Sequence, residues 1–410
     1  MPIIVQKFGG TSVSTRNNRN YVINHIKEAI ENGFQPVVVV SAMGRFPEPY
    51  ATDTLLSLLD LPNSCSSPRE KDLLMSCGET ISAVILANEI RAQHISAVAL
   101  TGGQGGLLTS DDFTRAKIKD VRPNRILKEL HANDVVVVAG FQGITELGDT
   151  TTIGRGGSDT TAAALASALK AERIDIFTDV NGIMTADPRM VTSAQPLHHT
   201  TYIELCHMAY QGASVVHPRA VELAMQANIP MRITSTYSKA SGTRVSHRRS
   251  KTKTDGSFDR PVTGIAHMQG LTQIKVNTKD TSRQSQSEVF KAMASAGISV
   301  DFINISTTEV VYTVPDVLAD RALAQLNTLG FAATVHRECA KVSVVGAGMS
   351  GMPGIASKMI EALTDKGVRI LQSADSHTTI WVLVAGSELP VAVNALHEAF
   401  DLGSSVLKTV

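Results

Sequence analysis

The sequence has few of the residues that mark metal-binding, disulfide-rich or membrane proteins. Its 410 residues include four cysteines without a CxxC pair, which argues against a zinc site or disulfide framework and favours reduced thiols. The formal net charge is zero, so neither a nucleic acid nor an anionic membrane is indicated as a partner. No apolar run approaches the roughly 18 residues of a membrane helix, and Lys7 precedes any signal-like stretch. We therefore expect a soluble cytoplasmic protein without a metal cluster.

Strand-like apolar runs alternate with amphipathic helical patterns in the first half of the chain. The helical patterns cover residues 16–32, 69–92 and 217–228, and Gly33 is placed to end the first of them. This alternation favours βαβ units and a largely parallel sheet with helices on both faces. The strand-like runs are Ile3–Val5, Val37–Val40, Ile95–Leu100, Val135–Ala139, Ile174–Phe177 and Met231–Thr234.

A basic segment poor in apolar residues separates this half from a repeated one. Residues 237–260 hold seven Lys or Arg against two Asp, which predicts a solvated linker or a flexible hairpin rather than an arm that binds polyanions. Beyond it, residues 290–314 align with 360–384 at a constant offset of 70, so that Gly297 matches Gly367. Such a repeat predicts two duplicated modules. The predicted boundaries are 1–236 for the first domain, 237–262 for the linker, and 263–335 and 336–410 for the modules, which are either consecutive or nested.

Glycine- and hydroxyl-rich loops follow the carboxyl ends of successive strands. In an open α/β sheet such loops converge on the ligand crevice, where backbone N–H groups can surround phosphate oxygens. A GxxxxGK[ST] motif and a protein-kinase HRD…DFG set are both missing, which disfavours those two classes. One glycine pair would be a weak signal, but five loops in register indicate a phosphate site. The loops are Gly9–Ser12, Ser41–Gly44, Thr101–Gly106, Gly140–Gly143 and residues 150–166.

Several of these segments carry charged side chains. In "TIGRGGSDTTAAALA", Ser158 or Asp159 is placed to cap a helix that opens at Thr160. Arg155, ahead of two glycines, suits bidentate capture of a carboxylate or phosphate. Glu79 in "SCGETIS" either favours a helix dipole or binds an ammonium group. The loop in "RIDIFTDVNGIMTADPR" suits nucleotide base and ribose contacts, or is an acidic surface loop.

A GxGxxG motif at Gly346, Gly348 and Gly351 favours a rival class, an NAD(P)-linked oxidoreductase. The motif follows a strand, and Asp375 lies roughly where a ribose-binding acid is expected. However, only 35 residues follow Asp375, too few for the second half of a dinucleotide-binding sheet. We therefore interpret the motif as a loop that borders an effector site.

Taken together, the motifs resemble aspartate kinase (aspartokinase). The segments "KFGGTS", "SCGET", "GFQG", "TTTIGRGGSDTTA", "FTDVNGIMTADPR" and "GASVVHPRAVELA" occur in this order and precede the double repeat. The resemblance spans essentially the whole chain and is closest to the monofunctional Gram-positive type, including its diaminopimelate-inhibited subgroup. It implies an α/β fold: an αβα sandwich with a mostly parallel sheet (the amino-acid-kinase fold), followed by two C-terminal βαββαβ ACT modules.

The implied reaction transfers the γ-phosphoryl group of ATP, with Mg²⁺, to the β-carboxylate of L-aspartate. The product, 4-phospho-L-aspartate, leads to diaminopimelate, lysine, threonine and methionine. A carboxylate with a pKa of about 3.9 needs no general base at neutral pH, so cations and N–H dipoles must shield the two anions. The resemblance implies that Lys7 binds the phosphates, Asp159 orients Lys7, Arg155 clamps the α-carboxylate and Glu79 holds the ammonium. Implied ATP-binding residues are Lys7, Phe8, Gly9, Gly10, Ser41, Ser158, Thr178, Asp179, Gly182, Ile183, Met184, Thr185 and Arg189; implied aspartate-binding residues are Thr52, Asp53, Glu79, Arg155, Gly156, Gly157 and Ser158.

One position departs from the family pattern. Ser214 in "QGASVVHPR" stands where members usually have a lysine near the ATP phosphates. Either ATP binds more weakly or Arg219 or Arg189 compensates. We predict that Ser214→Lys lowers the KM for ATP; an unchanged or raised KM would count against this assignment.

The resemblance also implies feedback control by an amino acid bound between the ACT modules. The implied effector positions are Ser285, Gln286, Ser287, Glu288, Asp301 and Asn304. Diaminopimelate is the first candidate, and lysine with or without threonine is the second. Pairing of ACT sheets between chains implies a homodimer or larger oligomer. The alternatives are another kinase of the same fold (glutamate 5-kinase, acetylglutamate kinase or UMP kinase) and an ACT-based sensor without activity.

Overall fold

The computed structural model describes residues 1–59, 65–213, 215–247, 261–278, 285–349 and 351–403. The chain divides into two units. The first comprises Met1–Ile183, Pro196–Ala209 and Ser214–Asp255. The second comprises Met184–Gln195, Tyr210–Ala213 and Gly256–Val410.

An eight-stranded, mostly parallel sheet forms the centre of the first unit. Its strands are β1 (Ile3–Phe8), β2 (Gln35–Val40), β3 (Ala97–Leu100), β6 (Val135–Ala139), β9 (Arg173–Thr178), β10 (His199–Thr201), β11 (Met231–Ser235) and β12 (Thr243–Ser246). The order across the sheet is β10-β12-β11-β9-β1-β2-β6-β3, and only β11 and β12 pair antiparallel. The central strands are continuous apolar runs because both faces are covered, as in β6, where every residue is buried.

A four-stranded sheet and the helices complete the described part of the first unit. The small sheet has the order β5-β4-β7-β8, built from β4 (Leu107–Thr109), β5 (Ile118–Val121), β7 (Gln142–Ile144) and β8 (Thr150–Thr152). The helices are α1 (Gly10–Val13), α2 (Arg16–Glu31), α3 (Thr52–Ser57), α4 (Pro68–Arg91), α5 (Asn124–Leu130), α6 (Gly157–Leu169), α7 (Tyr202–Tyr210) and α8 (Pro218–Gln226). The six predicted strands and three predicted helices of this half are all present, with ends that differ by a few residues.

Two local predictions in this half are wrong. Helix α6 begins at Gly157 rather than Thr160, because Gly156 takes a left-handed conformation and serves as the N-cap without any side-chain cap. The linker predicted for residues 237–262 is also interrupted, since Thr243–Ser246 forms β12 and pairs antiparallel with β11, in the manner of the alternative hairpin. The rest of that segment, residues 248–260, lies outside the described residues.

The second unit is built on a six-stranded antiparallel sheet of order β14-β15-β13-β16-β18-β17. The strands are β13 (Gly264–Asn277), β14 (Asp301–Ile305), β15 (Glu309–Pro315), β16 (Ala333–Val345), β17 (Gln372–Asp375) and β18 (Thr379–Ala385). The helices are α9 (Ser285–Ser295), α10 (Asp316–Thr328), α11 (Ile355–Asp365) and α12 (Leu389–Ala399), with a 3-10 turn at Gly386–Glu388.

The two copies of the repeat share the long strands β13 and β16. The first half of β13, Gly264–Met268, pairs with Lys341–Val345, which also pairs with β18 in the second copy. The second half of β13 pairs with β15 in the first copy. The second copy therefore begins before the first copy and encloses it, which favours the nested arrangement over two consecutive modules.

A segment of the sequence predicted for the first domain belongs to the core of the second unit. Ala186, Val191 and Ala194 are buried in the same apolar cluster as Val342 and Leu396. The segment also extends the sheet, because the backbone N–H of Ile265 donates to the carbonyl of Thr185 at 2.7 Å. The predicted boundary at residue 236 is therefore too simple, since residues 184–195 and 210–213 pack with the second unit.

The GxGxxG motif does not begin a dinucleotide-binding fold. Gly346 follows β16, whose sheet neighbours are all antiparallel, whereas a dinucleotide site requires parallel βαβ units. Gly346 instead lies against backbone, because a Cβ there would be 2.0 Å from the carbonyl oxygen of Pro261.

Helix α4 contradicts the expectation that no run is long and apolar enough to cross a membrane. By length and composition alone it passes that test, as the one such helix in the described part of the chain. Half of its apolar window is buried inside the structure, however, and core helices of soluble proteins pass the same test. This is weak evidence for a membrane span.

Candidate active site

The loops at the carboxyl ends of the parallel strands surround a cavity of about 270 Å³ in the first unit. Helix α6 points its N-terminus toward the same place. Ten of the predicted site residues lie together on its wall. The lining residues are Lys7, Gly10, Ser41, Ala42, Gly44, Thr52, Glu79, Phe141, Gly154, Arg155, Gly156, Gly157, Ser158 and Asp159.

Lys7 and Asp159 form an ion pair at the edge of this cavity. The Nζ of Lys7, near the end of β1, lies 2.7 Å from Oδ1 of Asp159 in the first turn of α6. The other oxygen of Asp159 accepts a hydrogen bond from the backbone N–H of His217 at 3.1 Å. One of the predictions made Asp159 the helix cap, but it does not cap α6 and instead pairs with the Lys7 ammonium group.

Two glycines allow the backbone to close around the cavity. A Cβ at Gly10 would lie 2.6 Å from the carbonyl oxygen of Ala42, and the backbone N–H of Gly44 donates to Gly10 at 3.0 Å. Gly156 has a φ of +69°, and a Cβ there would lie 2.1 Å from the ring of His217. Larger side chains at these positions would displace the loop that follows the strand of Lys7 and the loop that carries Arg155.

Glu79 is buried in the wall of the cavity. Its side chain lies in α4, is 2% exposed, and accepts a hydrogen bond at Oε1 from the backbone N–H of Ala42 at 3.2 Å. Within the described residues its second oxygen, Oε2, has no hydrogen-bond partner. Burial raises the pKa of the Glu79 carboxyl to about 8. A cationic group bound at this oxygen would favour the ionised form and lower that pKa again.

Arg155 follows the strand β8, whose last residue is bound by a buried acid, Asp72. Oδ2 of Asp72 accepts from the backbone N–H of Thr152 at 2.8 Å, and Oδ1 accepts from the Thr152 hydroxyl at 2.6 Å. The same carboxylate also accepts from the backbone N–H of Thr114. Asp72 is completely buried, so these contacts fix the start of the loop that presents the exposed Arg155 guanidinium.

The remaining predicted substrate positions lie around the same opening. The hydroxyl of Ser41 donates to that of Ser158 at 3.0 Å across the cavity wall. Thr52 and Asp53 begin helix α3, and both line an adjoining cavity of about 680 Å³ that also includes Arg155.

Several residues predicted to bind ATP do not line the cavity. The Phe8 side chain is fully buried and stacks on Phe177 with ring centroids 4.5 Å apart, so it belongs to the core and cannot contact a ligand. The hydroxyl of Thr178, the last residue of β9, donates to the carboxylate of Asp179 at 3.0 Å. The others in this group are Gly9, Gly182 and Ile183, of which Ile183 is held through its N–H by the hydroxyl of Thr243 at 2.8 Å.

Three further predicted ATP-binding residues, Met184, Thr185 and Arg189, belong to the second unit. The Thr185 hydroxyl lies 2.9 Å from Nε2 of the buried His397 and accepts from the backbone N–H of Gln195. The Arg189 guanidinium binds the carboxylate of Asp187 at 2.6 Å. Arg189 is therefore already paired, which weakens it as a substitute for the missing lysine. Ser214 itself lies outside the described residues.

The predicted effector positions lie at helix α9 and strand β14. The Gln286 side chain donates to the carbonyl of Ser306 at 2.9 Å, and Asp301 pairs with Nζ of the buried Lys341 at 2.5 Å. Ser287, Glu288 and Asn304 are exposed. The side chain of Ser285 lies outside the described residues.

The sequence patterns missed part of the cavity wall and its support. Ala42, Gly44, Phe141 and Gly154 line the cavity without having been predicted, although all four lie within or beside the glycine-rich loops. Asp72 was missed altogether, because one acid within a helical pattern usually faces solvent.

Comparison with known proteins identifies the class to which this fold and cavity belong. Residues 2–235 match the model of the amino acid kinase family, and residues 334–398 match that of the ACT domain. The chain therefore belongs to the amino acid kinase family, in the branch of the aspartokinases, as the motifs predicted.

Relatives over the full length support that branch. The chain is 58% identical to aspartokinase 1 of Bacillus subtilis over 98% of this chain and all of the relative. It is 40% identical to an aspartokinase of Geobacillus stearothermophilus over 98% of each chain. Among solved structures, E. coli aspartokinase III in complex with aspartate and ADP is 27% identical and superposes with a TM-score of 0.79 over 97% of this chain and 99% of that one. The predicted family and α/β fold are thus confirmed.

Proposed function

We propose that this protein transfers the γ-phosphoryl group of ATP to the β-carboxylate of L-aspartate, under feedback control by an amino acid. The observation that carries the proposal is the convergence of Lys7, Glu79 and Arg155 on one cavity at the carboxyl edge of the parallel sheet. The full-length relatives named aspartokinase, and the related enzyme crystallised with aspartate and ADP, support the same reaction.

The charges around the cavity match the requirements of this reaction. An aspartate carboxylate is already ionised at neutral pH, so the main barrier is its repulsion by the γ-phosphate. In the proposal Lys7, oriented by Asp159, neutralises the phosphate, and the backbone N–H groups at Gly9 and Gly10 add dipoles. No residue is needed as a general base.

Glu79 and Arg155 would bind the two charged groups of the amino acid that do not react. Arg155 can hold the α-carboxylate with two parallel hydrogen bonds. The unpartnered oxygen of Glu79 would accept from the ammonium group. Because burial raises the pKa of Glu79 to about 8, ammonium binding has to be accompanied by loss of the proton from Glu79. Thr52, Asp53 and Ser158 complete the proposed aspartate site.

The nucleotide site of the proposal includes Ser41, Thr178, Asp179 and Gly182 in addition to Lys7. Mg²⁺ would accompany ATP, since it is usually held by phosphates, waters and one or two carboxylates. In the described ranges no group of three or more His, Cys, Asp or Glu side chains could hold a metal ion alone. In the proposal the metal is bound mainly by the phosphates, where it would supply further charge neutralisation.

The regulatory part of the proposal concerns the second unit. The feedback amino acid would be diaminopimelate, or lysine with or without threonine, bound near Asp301 and Gln286. A related enzyme crystallised with lysine and aspartate supports an amino acid effector of this kind. We further propose a cytoplasmic homodimer or larger oligomer.

A hydroxamate assay tests the reaction. The purified full-length protein is incubated with L-aspartate, Mg·ATP and hydroxylamine, which traps an acyl phosphate as a coloured hydroxamate. We expect product with L-aspartate and none with L-glutamate or without ATP. Absence of product under all conditions would reject the kinase assignment, and lysine or diaminopimelate binding by such an inactive protein would favour the alternative of a silent amino-acid sensor.

A further inference from the structure

A second cavity in the first unit, of about 750 Å³, adjoins the candidate active site through shared wall residues. Gly154 and Arg155 line both cavities. The other charged residues of the second cavity are Arg115, Lys117 and Arg219, and no carboxylate lines it. We call this feature the basic cavity, defined by Arg115, Lys117, Arg155 and Arg219.

The four cations of the basic cavity are not neutralised by the protein. Within the described residues none of them forms an ion pair, whereas Arg19 binds Glu89 at 2.8 Å in the same unit. Arg115 and Lys117 are exposed and Arg219 is half-buried. Like charges in one cleft repel each other, so this arrangement lowers the stability of the fold unless an anion is attracted there.

The position of the basic cavity is fixed by the protein interior. Both oxygens of the fully buried Asp72 accept from the backbone N–H of Thr114, the residue before Arg115, at 2.9 and 3.0 Å. The N–H of Ala116 donates to the carbonyl of Thr152 at 2.9 Å. The same Asp72 thus holds the segment with Arg115 and the loop with Arg155, so the two charged groups are kept on one wall.

We propose that the basic cavity raises the affinity of the adjoining site for its anionic amino acid substrate, with Arg115 and Lys117 as the residues that attract it. This inference rests on the proposed function. Aspartate carries two carboxylates and one ammonium group at neutral pH and has to bind beside a polyanionic nucleotide. A cleft lined by uncompensated cations raises the local concentration of such an anion, and does so less as ionic strength increases.

The double variant Arg115→Gln/Lys117→Gln tests the proposal. We expect the KM for L-aspartate to rise about threefold to tenfold, with the change in KM rather than kcat, because two largely exposed charges are removed. We also expect the KM of the wild type to rise with ionic strength more steeply than that of the variant. Lys119→Gln is the matched control, since it removes an exposed charge from β5 outside the cavity lining and should leave the KM unchanged.

Charge and shape are separated by the variant Arg115→Lys/Lys117→Arg, which keeps both charges and should retain the wild-type KM for aspartate. An unchanged KM for aspartate in the glutamine variant would overturn the proposal, and so would a rise confined to the KM for ATP. Isothermal titration calorimetry measures the affinity for L-aspartate directly, so it distinguishes failure of the basic-cavity proposal from failure of the proposed kinase reaction. A protein that binds aspartate in a charge-dependent way but forms no hydroxamate would retain the inference and reject the kinase reaction.

Discussion

The two units of this chain use sheets of opposite character, and their polar groups are distributed accordingly. In the first unit parallel strands end at the same edge, so the loops after β1 and β2 and the start of α6 meet at one cavity. In the second unit neighbouring strands are antiparallel, so successive loops leave from opposite edges. Strand direction therefore determines where side chains distant in sequence can act on one ligand.

The buried acids follow the same division. The first unit buries Asp72, Glu79 and Asp159 within or directly behind the cavity wall. In the described part of the second unit the buried charged side chain is Lys341, which reaches outward to the exposed Asp301. Asp175 and Glu204 are buried in the first unit without lining the cavity, so buried carboxylates are concentrated in that unit but not only at its site.

The strongest test of this division compares a lysine from each unit. Lys7→Met removes the proposed phosphate contact, and we expect kcat to fall by at least about 10³-fold. Lys341→Met removes a more deeply buried cation from the second unit and should leave kcat without effector within about twofold. Steady-state kinetics on both variants measures the difference. A kcat for Lys7→Met near that of the wild type would refute the proposed active site.

A smaller effect is expected from Glu79→Gln. We expect kcat/KM for aspartate to fall by about 10²-fold with little change in the KM for ATP, because a neutral amide cannot pair with the ammonium group. In the wild type kcat/KM for aspartate should increase from pH 7 to pH 9, as Glu79 with its pKa of about 8 loses its proton. That increase should vanish in the variant.

Glu79→Gln should lower activity, but it should raise the stability of the fold at alkaline pH. The folded-state pKa of Glu79 is raised above its ordinary value of 4.5, so the native protein binds this proton more tightly, and stability is lost as the pH increases from about 4.5 to about 8, above which the loss is complete. Glu79→Gln should therefore unfold at a higher denaturant concentration than the wild type at pH 9. Glu70→Gln, an exposed position on the same helix, is the control. Equal pH dependence in all three proteins would contradict the assignment.

Asp72→Asn tests whether the hydrogen bonds of Asp72 to Thr114 and Thr152 hold the cavity wall in place. The amide would place a donor toward the N–H groups of Thr114 and Thr152, so we expect a loss of about 2 kcal/mol in the free energy of unfolding and a higher KM for aspartate. Urea denaturation and kinetics measure the two effects. Asp120→Asn, on the exposed strand β5, should change stability by less than about 0.5 kcal/mol. Similar stability of both variants would mean that Asp72 is not a structural anchor.

The smallest expected effect concerns the repeat in the second unit. Gly297 and Gly367 have φ angles of +64° and +71° and end equivalent helices. Alanine at either position should cost about 1 kcal/mol, because a Cβ is strained in this conformation, while kcat without effector stays unchanged. Chemical denaturation of Gly297→Ala, Gly367→Ala and the double variant measures this. Markedly unequal costs would show that the two copies are not equivalent.

Much of the first unit follows from local sequence. Fully buried strands of a parallel sheet are continuous apolar runs, and their loops must meet at one edge, so the convergence of Lys7 and Arg155 could be predicted. Glu79 lies within α4, and only the family resemblance placed it at the same site. The start of α6 could not be predicted, because it depends on the left-handed conformation of Gly156 against the ring of His217. Asp72 was missed for a related reason, since its partners lie 42 and 80 residues away.

The repeat in the second unit could be predicted, but the segments of the chain that make up this unit could not. The offset of 70 residues identifies equivalent strands and helices, yet it carries no information on which copy encloses the other. Residues 184–195 have no counterpart in the repeat. Their membership in the second core depends on contacts such as Thr185 with His397, made across 212 positions of sequence.

Residues 184–195, which pack in the core of the second unit, limit how the protein can be divided into fragments. A fragment that stops at residue 236 would carry Val191 and Ala194 without the apolar neighbours that cover them. A fragment that starts at residue 261 would have an open gap in its core at the same place. An exchange of C-terminal halves between such enzymes should therefore include residues 184–195, so that both segments come from the same parent enzyme.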